Sequence, residues 1–454
     1  MRMHPRSEEP QKKRKAVQVA VKNVFVVGLD ERNLEILRRT PTGQHCEFHQ
    51  LLNLEELQVG EIDIQELLAK AERILDDFDG SVDAIVGYWD FPVTLFVPIL
   101  CSRRGLPSSS LESFVKCEHK YWSRLEQQKV IDEYPAFGLV ELSEENPAPP
   151  ESPSYPMWLK PVKSASSELA YKVGDDEAFQ QAVSLLRDGV DRIGRPFEQI
   201  LEMVDLPPEV SSVGGRTALA EAAMQGVQAA VEGYVYKGEV VVYGALDSVD
   251  YPGSSVFLRH QYPSGLPENV TRWMAEVATK VIERVGMDNS TFSVEFFYDP
   301  VEEKLGLLEV NTRHSQSHAE LFELVDGVAN HERMLRLGFG QDPALDEDAR
   351  GEYRVAAEWY HRRFEDGVAA RVPTPEEVSA LEESLPGVTI EIVPQQGQRL
   401  SDMTAQDSYS YELAKITIGA EDETEMRAKY ERCVDELVFE FEDEHGTKDK
   451  LAEH

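Results

Sequence analysis

Two neighbouring segments late in the chain alternate between apolar and polar residues. Ser293–Asp299 and Leu305–Asn311 are rich in β-branched and aromatic residues, and a short polar stretch separates them. The pattern predicts a β-hairpin. When the hairpin is folded about position 302, Glu295 lies opposite Glu309, and Asn311 shares the face of Glu309.

Facing carboxylates are the unusual feature of this predicted hairpin, because like charges opposite each other destabilise a ladder. A hard cation between them would remove the repulsion, and Mg²⁺ takes one or two carboxylates, other oxygens and substrate phosphates. A solvated edge is the alternative in so acidic a chain, but the residues beside the glutamates, such as Val294 and Phe296, are apolar. The hairpin is therefore a candidate site for magnesium and a nucleotide.

Apolar runs near the start of the chain predict a different arrangement. Lys22–Gly28 and Val82–Gly87 are typical of buried strands, and Ile62–Phe78 has a helical period. Strands that alternate with helices indicate a parallel sheet. We expect residues 21–113 to form a small doubly wound α/β domain, after a disordered leader over residues 1–20. No GxGxxG motif follows these strands, so no dinucleotide site is predicted.

A segment rich in Pro, Glu and Ser at 141–156 indicates a loop or a domain boundary. Further elements are predicted over Met157–Lys163 (strand), Gly174–Arg187 (helix), 227–245 (two strands), Glu268–Val285 (helix), His318–Leu337 (helix), Val388–Val393 and Ser410–Ile418 (strands), and from Glu423 to about Leu437 (helix). We expect one domain over 114–345, a small α+β domain over 346–445 and a tail over 446–454.

Composition limits the classes of function. The 454 residues suggest several domains, and 83 acidic against 46 basic residues leave a net charge of −37, which disfavours binding to nucleic acid or to an anionic membrane. No apolar run reaches 18 residues, and the first 15 residues lack the apolar segment of a secretory signal. The four cysteines are widely spaced, which predicts no zinc site and fits a reducing cytoplasm.

A second candidate feature lies ahead of the hairpin. Lys160 stands at the end of a predicted strand, and Lys163 and the small polar loop Ser164–Ser167 follow it. Lysine is a compact cation suited to phosphate oxygens, and loops of small residues let backbone N–H groups approach a phosphate. An ordinary turn with surface lysines is the alternative for this segment taken alone.

In this order and spacing, residues 114 to about 340 resemble the ATP-grasp superfamily. The strongest part is Glu295-Phe-Phe together with Leu308-Glu-Val-Asn-Thr-Arg313, which is close to the family signature E…E-x-N-x-R. The resemblance implies an N-terminal α/β domain, a lid over about residues 155–225 that closes on ATP, a core that carries the metals, and a C-terminal α+β domain. It also implies that a substrate carboxylate attacks MgATP to give an acyl phosphate, which a nucleophile, usually an amine, then displaces.

The resemblance also implies roles for individual residues. The metal ligands would be Glu295, Glu309 and Asn311, and the catalytic cations would be Arg313 and Lys160. The ATP-binding residues would be Lys120, Lys160, Lys163, Ser164, Ser166, Ser167, the hinge Glu221, Ala222, Ala223 and Met224, and Gln228. Gln228 stands where many relatives carry a Glu for the ribose, and Ser164–Ser167 lacks the usual glycines. Candidates for contact with the substrate are His314, Ser315 and Arg259.

Two other interpretations stay open at this point. One is a subunit resembling biotin carboxylase, which activates bicarbonate and needs a carrier, although no biotinyl-acceptor segment is seen in this chain. The other is an ATP-binding switch without catalysis. The ligase interpretation calls for ATP with Mg²⁺ or Mn²⁺ and for small-molecule carboxylic acid and amine substrates, with no nucleic acid and no membrane. It leaves open the identity of both substrates and the oligomeric state, for which a homodimer is one option.

Overall fold

The computed structural model describes residues 21–164, 168–254, 256–346, 349–403, 410–442 and 448–450. The predicted leader over 1–20 and most of the predicted tail lie outside the described residues. Within the described part, no helix has both the length and the apolar character needed to cross a bilayer.

The N-terminal part alternates strands and helices, as its apolar runs predict. Its elements are β1 (Lys22–Val27), α1 (Glu31–Arg39), β2 (Cys46–Leu51), α2 (Leu54–Gln58), α3 (Ile64–Asp76), β3 (Ala84–Val86), α4 (Val93–Arg104), α5 (Leu111–Glu118) and α6 (Lys120–Gln127). The strands form a parallel sheet in the order β2-β1-β3, and β1 is buried from Val24 to Val27. The parallel α/β prediction is confirmed. The pattern did not predict β2, because half of its six residues are polar and Leu51 alone among them is fully buried.

The next part is a small antiparallel sheet with helices against it. Its elements are β4 (Phe137–Val140), β5 (Met157–Pro161), β6 (Tyr171–Val173), α7 (Asp176–Gly189), α8 (Asp191–Leu201), α9 (Pro208–Ser211) and β7 (Ala218–Ala222). The strand order is β4-β7-β5-β6. An apolar core of its own, which includes Leu159, Phe179 and Leu186, joins this sheet to α7. This part corresponds to the segment expected to act as a lid.

A long antiparallel sheet follows. Its first elements are β8 (Val227–Tyr236), β9 (Glu239–Asp250), β10 (Phe257–Tyr262), α10 (Glu268–Val285), β11 (Ser290–Asp299), β12 (Lys304–Asn311), α11 (Ala319–Asp326) and α12 (His331–Gly338). The bounds of α10 match the prediction, because its apolar residues recur with a helical period and pack into the core that the long sheet shares with the N-terminal part. Helix α10 ends at Gly286, a left-handed C-cap.

The single helix predicted over residues 318–337 is wrong, because the structure has two helices there. Gly327 ends α11 with φ of +80°, and a Cβ at this position would lie 2.7 Å from the backbone oxygen of Arg350. Only glycine fits this close approach without strain. The apolar period continues on both sides of the break, so the pattern does not register the turn.

The C-terminal part adds strands to the same sheet. Its elements are β13 (Val355–Arg363), β14 (Val368–Arg371), α13 (Pro375–Ser384), β15 (Val388–Ile392), β16 (Tyr411–Ala420), α14 (Glu423–Glu436), β17 (Glu440–Glu442) and β18 (Lys448–Lys450). Among the described residues the long sheet has the order β12-β11-β8-β9-β10-β13-β16-β15. The boundary expected near residue 345 therefore crosses a continuous sheet, although the C-terminal strands have a separate apolar core.

Candidate active site

The β11–β12 hairpin has the register that the sequence predicts. Glu295 pairs with Glu309 and Ser293 pairs with Asn311, and a bulge follows Glu295. The neighbouring Val294 and Val310 are buried, whereas both glutamates are partly exposed on the other face. The two carboxylates thus lie on one face of the long sheet, next to each other and accessible from outside.

Glu295 is held by neutral groups. The Asn311 amide nitrogen donates to its Oε1 at 2.9 Å, and the Gln228 amide nitrogen, from β8, donates to its Oε2 at 3.0 Å. Burial and the negative charge of Glu309 raise the pKa of Glu295 above its ordinary value. Within the described residues no basic side chain forms an ion pair with Glu295, so the charge of this carboxylate is not compensated directly.

Glu309, in contrast, contacts a lysine. Lys120, the first residue of α6, forms an ion pair with Glu309 and also donates to the backbone oxygen of Ser164 at 3.1 Å. Burial alone would raise the pKa of Glu309, but the charges of Lys120 and Lys160 lower it below its ordinary value. The expected nucleotide lysine and an expected metal ligand are therefore in direct contact.

Lys160 lies on the small antiparallel sheet and points to the same site. Its Nζ is 2.6 Å from Oε2 of Glu221, whose Oε1 is 2.6 Å from Nε of Arg124. Burial alone would raise the pKa of Glu221, but these two cations lower it to about 2. Arg124 also donates to the backbone oxygens of Leu307 and Leu308, so it connects α6 and the small sheet to the β11–β12 hairpin.

Lys163 is a third lysine close to the hairpin, after Lys120 and Lys160. Lys163 pairs with Glu118, whose other oxygen accepts from the Thr312 hydroxyl at 3.0 Å. Ser164 is buried beside Lys120. Ser166 and Ser167, the other two serines expected to contact ATP, lie outside the described residues.

Arg313 is clamped by a carboxylate of the N-terminal part. Its Nε and Nη2 donate to Oδ1 and Oδ2 of Asp90, each at 2.8 Å, and its Nη1 donates to the backbone oxygen of His314. Such a bidentate pair is strong and has one preferred orientation. Asp90 follows the carboxyl end of β3, so the contact joins the parallel sheet to the hairpin.

The donor set fits a hard divalent cation. Among the described residues no group of three or more His, Cys, Asp or Glu side chains is placed to hold a metal. The hairpin supplies two facing carboxylates and the side-chain oxygen of Asn311, and no basic side chain in the part of the chain that the structure describes forms an ion pair with Glu295. A site of this kind would need oxygens from substrate phosphates and water, as is usual for Mg²⁺.

The expected adenine hinge is partly occupied by its own sheet. The Ala222 N–H donates to Ala136 at 2.8 Å and the Ala223 N–H donates to Pro156 at 3.3 Å. Gly226 then has φ of +111°, and a Cβ there would lie 2.1 Å from the backbone oxygen of Tyr298. Contacts to a base would therefore come from carbonyl groups of the hinge and from Met224.

His314 is placed differently from the expected substrate contact. Its side chain is fully buried, with Nδ1 3.0 Å from the Thr291 hydroxyl and Nε2 2.7 Å from Nδ1 of His331. The other nitrogen of His331 lies 2.8 Å from Oδ1 of Asn33 in α1. Both ring nitrogens of His314 are thus engaged in a network that reaches the N-terminal part.

Ser315 lies next to the buried carboxylate of Glu232. Its N–H donates to Oε1 of Glu232 at 3.1 Å, and its hydroxyl is 2.8 Å from that of Ser317. Glu232 is fully buried and also contacts His318 and the Tyr243 hydroxyl. These hydrogen bonds hold the backbone that follows Arg313, which is a structural role for residues expected to touch substrate.

Acid is expected to destabilise the protein through His314. Burial and the charge of Arg313 lower the pKa of His314 to about 3, whereas the ordinary value is 6.5. The unfolded chain takes up this proton below pH 6.5 and the folded chain does not, so stability is lost as the pH falls from 6.5 towards 3. Between pH 7 and pH 5, protonation of His314 in the unfolded chain should lower the unfolding free energy of the wild type by about 2 kcal/mol. His314→Gln should remove this contribution.

Urea unfolding of the wild type and of His314→Gln at pH 7 and pH 5 measures this difference. The exposed His45 provides the control, because His45→Gln should leave the pH dependence of the unfolding free energy unchanged. Equal slopes for the wild type and His314→Gln would contradict the prediction.

Arg259 does not join the candidate site. It is 5% exposed, stacks over the Trp359 ring at 4.5 Å and donates to Gln261. None of its described contacts involves Glu295 or Glu309. The register explains this, since Arg259 pairs with Trp359 on the face opposite that of its neighbour His260.

Sequence reasoning missed three residues that the structure places at the site, namely Asp90, Glu118 and Arg124. A signal for Asp90 was available, because ligands of open parallel sheets bind at the carboxyl ends of the strands and Asp90 follows β3. Glu118 and Arg124 lie on short helices, and nothing in their local sequence distinguishes them from surface residues. Only the packing of those helices against the hairpin brings them together.

Part of the chain matches a family of known proteins. Residues 153–319 match the family model described as the ATP-grasp domain, a range that includes β5, β6 and β7 of the small sheet and the hairpin. A search of the curated proteins found no match.

Solved structures share the fold along nearly the whole chain. An L-amino acid ligase from Bacillus licheniformis superposes with a TM-score of 0.73 at 16% identity, over 93% of this chain and 99% of the ligase. A biotin carboxylase from Campylobacter jejuni gives 0.62 at 16% identity, over 92% and 91%. A carboxyaminoimidazole ribonucleotide synthase from Aspergillus clavatus, complexed with ATP, gives 0.63 at 15% identity, over 91% and 98%. At these identities the likeness establishes the fold alone.

Proposed function

We propose that this chain, which carries an ATP-grasp domain, is an ATP-dependent ligase that activates a carboxylate as an acyl phosphate and couples it to an amine. The observation that carries the proposal is the pair of facing carboxylates, Glu295 and Glu309, in a site that also holds Lys120 and Lys160. Opposed carboxylates next to several cations suit a magnesium–triphosphate ligand, since each charge then finds a partner of opposite sign.

The cations of the site are held in place before any nucleotide binds. Lys120, Lys160, Lys163 and Arg313 pair with Glu309, Glu221, Glu118 and Asp90, respectively. Phosphoryl transfer depends mainly on positioned positive charge around the transferred group, with little covalent participation by the protein. In this proposal the lysines bind ATP phosphate oxygens, and Arg313 stabilises the phosphoryl group as it moves.

The chemistry proceeds in two displacements. A carboxylate oxygen of the acid attacks the γ-phosphorus, the bond to the β-phosphate oxygen breaks, and ADP leaves. The neutral amine then attacks the acyl carbon, the carbon–oxygen bond to phosphate breaks, and the amine proton passes to phosphate or solvent. Mg²⁺ bound by Glu295, Glu309 and Asn311 would neutralise phosphate charge during the first displacement.

Closure of the small sheet supports the second displacement. An acyl phosphate is hydrolysed unless water is kept out, and lids serve this purpose in many enzymes. Helices α8 and α9 pack into the core of the long sheet, whereas the four-stranded sheet that carries Lys160 has a separate core with α7 and contacts the hairpin by way of the Glu221–Arg124 pair. A unit of this kind suits a hinged motion about the strands that enter and leave it.

Hydroxylamine trapping tests the proposal. The purified chain is incubated with ATP, Mg²⁺, hydroxylamine and a panel of amino acids and small organic acids, and hydroxamate and ADP are measured together. We expect at least one acid to yield hydroxamate in proportion to ADP, and no product without ATP or Mg²⁺. ATP turnover that depends on bicarbonate alone would instead favour the carboxylase, and ATP binding without turnover on any acid would favour the switch.

A further inference from the structure

Asp90 and Arg313 form the contact by which the N-terminal sheet reaches the hairpin. Both oxygens of Asp90 accept from the guanidinium at 2.8 Å, and the side chains are 29% and 14% exposed, respectively. Asp90 is the fourth residue after β3, and Arg313 is the second residue after β12. The pair is too well aligned and too sheltered to resemble an ordinary surface ion pair.

Arg313 has a second carboxylate within reach of its charge. Asn311 donates to Glu295 at 2.9 Å, and Arg313 follows Asn311 by two residues, in the bend directly after β12. The charges of Arg313 and Glu295 act on each other, yet the described contacts of Arg313 include no ion pair with Glu295. The guanidinium instead forms its ion pair with Asp90.

We propose that Asp90 is a positioning residue that keeps the charge of Arg313 from competing with a divalent cation for Glu295. This inference rests on the proposed function, since it assumes that Glu295 ligates the metal. With Asp90 in place, the described hydrogen bonds to Glu295 come from the amides of Asn311 and Gln228, and its charge is free to bind a cation. Without it, the unpaired guanidinium would pair with Glu295, whose charge acts on Arg313 more strongly than that of Glu118, because a buried charge that loses its partner destabilises the folded state.

The alternative is that the Asp90–Arg313 pair only joins two parts of the molecule. That alternative predicts a loss of stability in Asp90 variants and no selective change in metal binding. The two possibilities differ in the behaviour of the double variant, because removal of Arg313 as well would restore metal binding only if Asp90 acts through Arg313.

The test is a titration of the full chain with Mn²⁺ alone at high ionic strength. Electron paramagnetic resonance monitors the binding. Glu309→Gln defines the binding that belongs to the acidic surface and not to the hairpin. We expect Asp90→Asn to weaken the hairpin site about tenfold or more, which is the size of effect given by one charged hydrogen-bonded pair. Asp90→Asn/Arg313→Gln should return the affinity to within about threefold of the wild type.

A matched control is available in the C-terminal part. Asp366 forms a similar pair with Arg399 far along the chain, so Asp366→Asn makes the same change of charge and should leave Mn²⁺ binding unchanged. If Asp90→Asn does not fold, Arg313→Gln decides the matter, because the proposal requires that it bind Mn²⁺ at least as well as the wild type.

The outcomes distinguish failure of the proposed function from failure of the role of Asp90. Equal Mn²⁺ binding by the wild type and Glu309→Gln would remove the metal site and the proposed function with it. A hairpin site that is unaffected by Asp90→Asn, or one that is weakened but not restored in the double variant, would overturn the role of Asp90 alone. A tenfold weakening by Arg313→Gln would do so as well.

Discussion

Replacing Glu309 with Gln should reduce ATP-dependent product formation more than a hundredfold while the fold persists. Loss of a residue that merely supports a metal ligand typically costs 10- to 100-fold, and loss of a ligand itself should exceed that. The substitution is nearly isosteric and the side chain is partly exposed, so packing changes little. The same change also frees Lys120 from its ion pair, which adds to the effect on the phosphates.

The measurement is ADP release with the acid that the hydroxamate screen identifies, and circular dichroism and thermal melting check the fold. Glu302→Gln, in the exposed turn of the same hairpin, is the matched control and should retain wild-type turnover. Turnover within threefold of the wild type in a folded Glu309→Gln protein would remove the metal assignment.

Replacing Arg124 with Met should lower the free energy of unfolding by about 3–5 kcal/mol, because it breaks a buried ion pair and leaves one charge with less compensation. Arg124 is 3% exposed and contacts Glu221 together with the backbone oxygens of Leu307 and Leu308. Methionine keeps most of the side-chain volume but none of these hydrogen bonds. Lys160 would then be the only remaining ion-pair partner of Glu221 among the described residues.

Urea unfolding, monitored by intrinsic fluorescence, measures the free energy of unfolding. Arg272→Met removes an arginine from an exposed i,i+4 pair with Glu268 and should change the unfolding free energy by about 0.5 kcal/mol or less. An Arg124→Met protein as stable as the Arg272→Met control would show that the Arg124 contacts contribute little to the folded state.

The resting site pairs each proposed phosphate-binding cation with a carboxylate. Arg313 with Asp90 and Lys163 with Glu118 are such pairs. In the proposed function, a triphosphate would compete with these carboxylates for the cations. The carboxylates stabilise a dense group of cations, since the unpaired charges would repel one another.

Several features of the site followed from local sequence. The alternation on either side of the turn established the hairpin and placed Glu295 opposite Glu309, because side chains alternate with a period of two. The helical period gave the bounds of α10, and the buried apolar runs identified β1 and β3 as parallel strands. The hairpin and the bounds of α10 depend on residues that are close in sequence, and the pattern contains that information.

Other features depended on contacts between distant segments. The partner of Arg313 lies 223 residues away, and that of Lys120 lies 189 residues away. The burial of His314 and the orientation of Arg259 towards Trp359 have the same origin, because each is set by an element that packs on it from elsewhere in the chain.

The sequence by itself therefore determined the hairpin with its facing carboxylates, and it predicted the proposed chemistry from these carboxylates and the order of basic residues around them. The tertiary structure alone decided which carboxylate neutralises which cation and which polar residues are buried away from substrate. The physical reason is the range of the interactions. Backbone periodicity is local, whereas the energy of a charge depends on every group that the fold brings within a few ångströms.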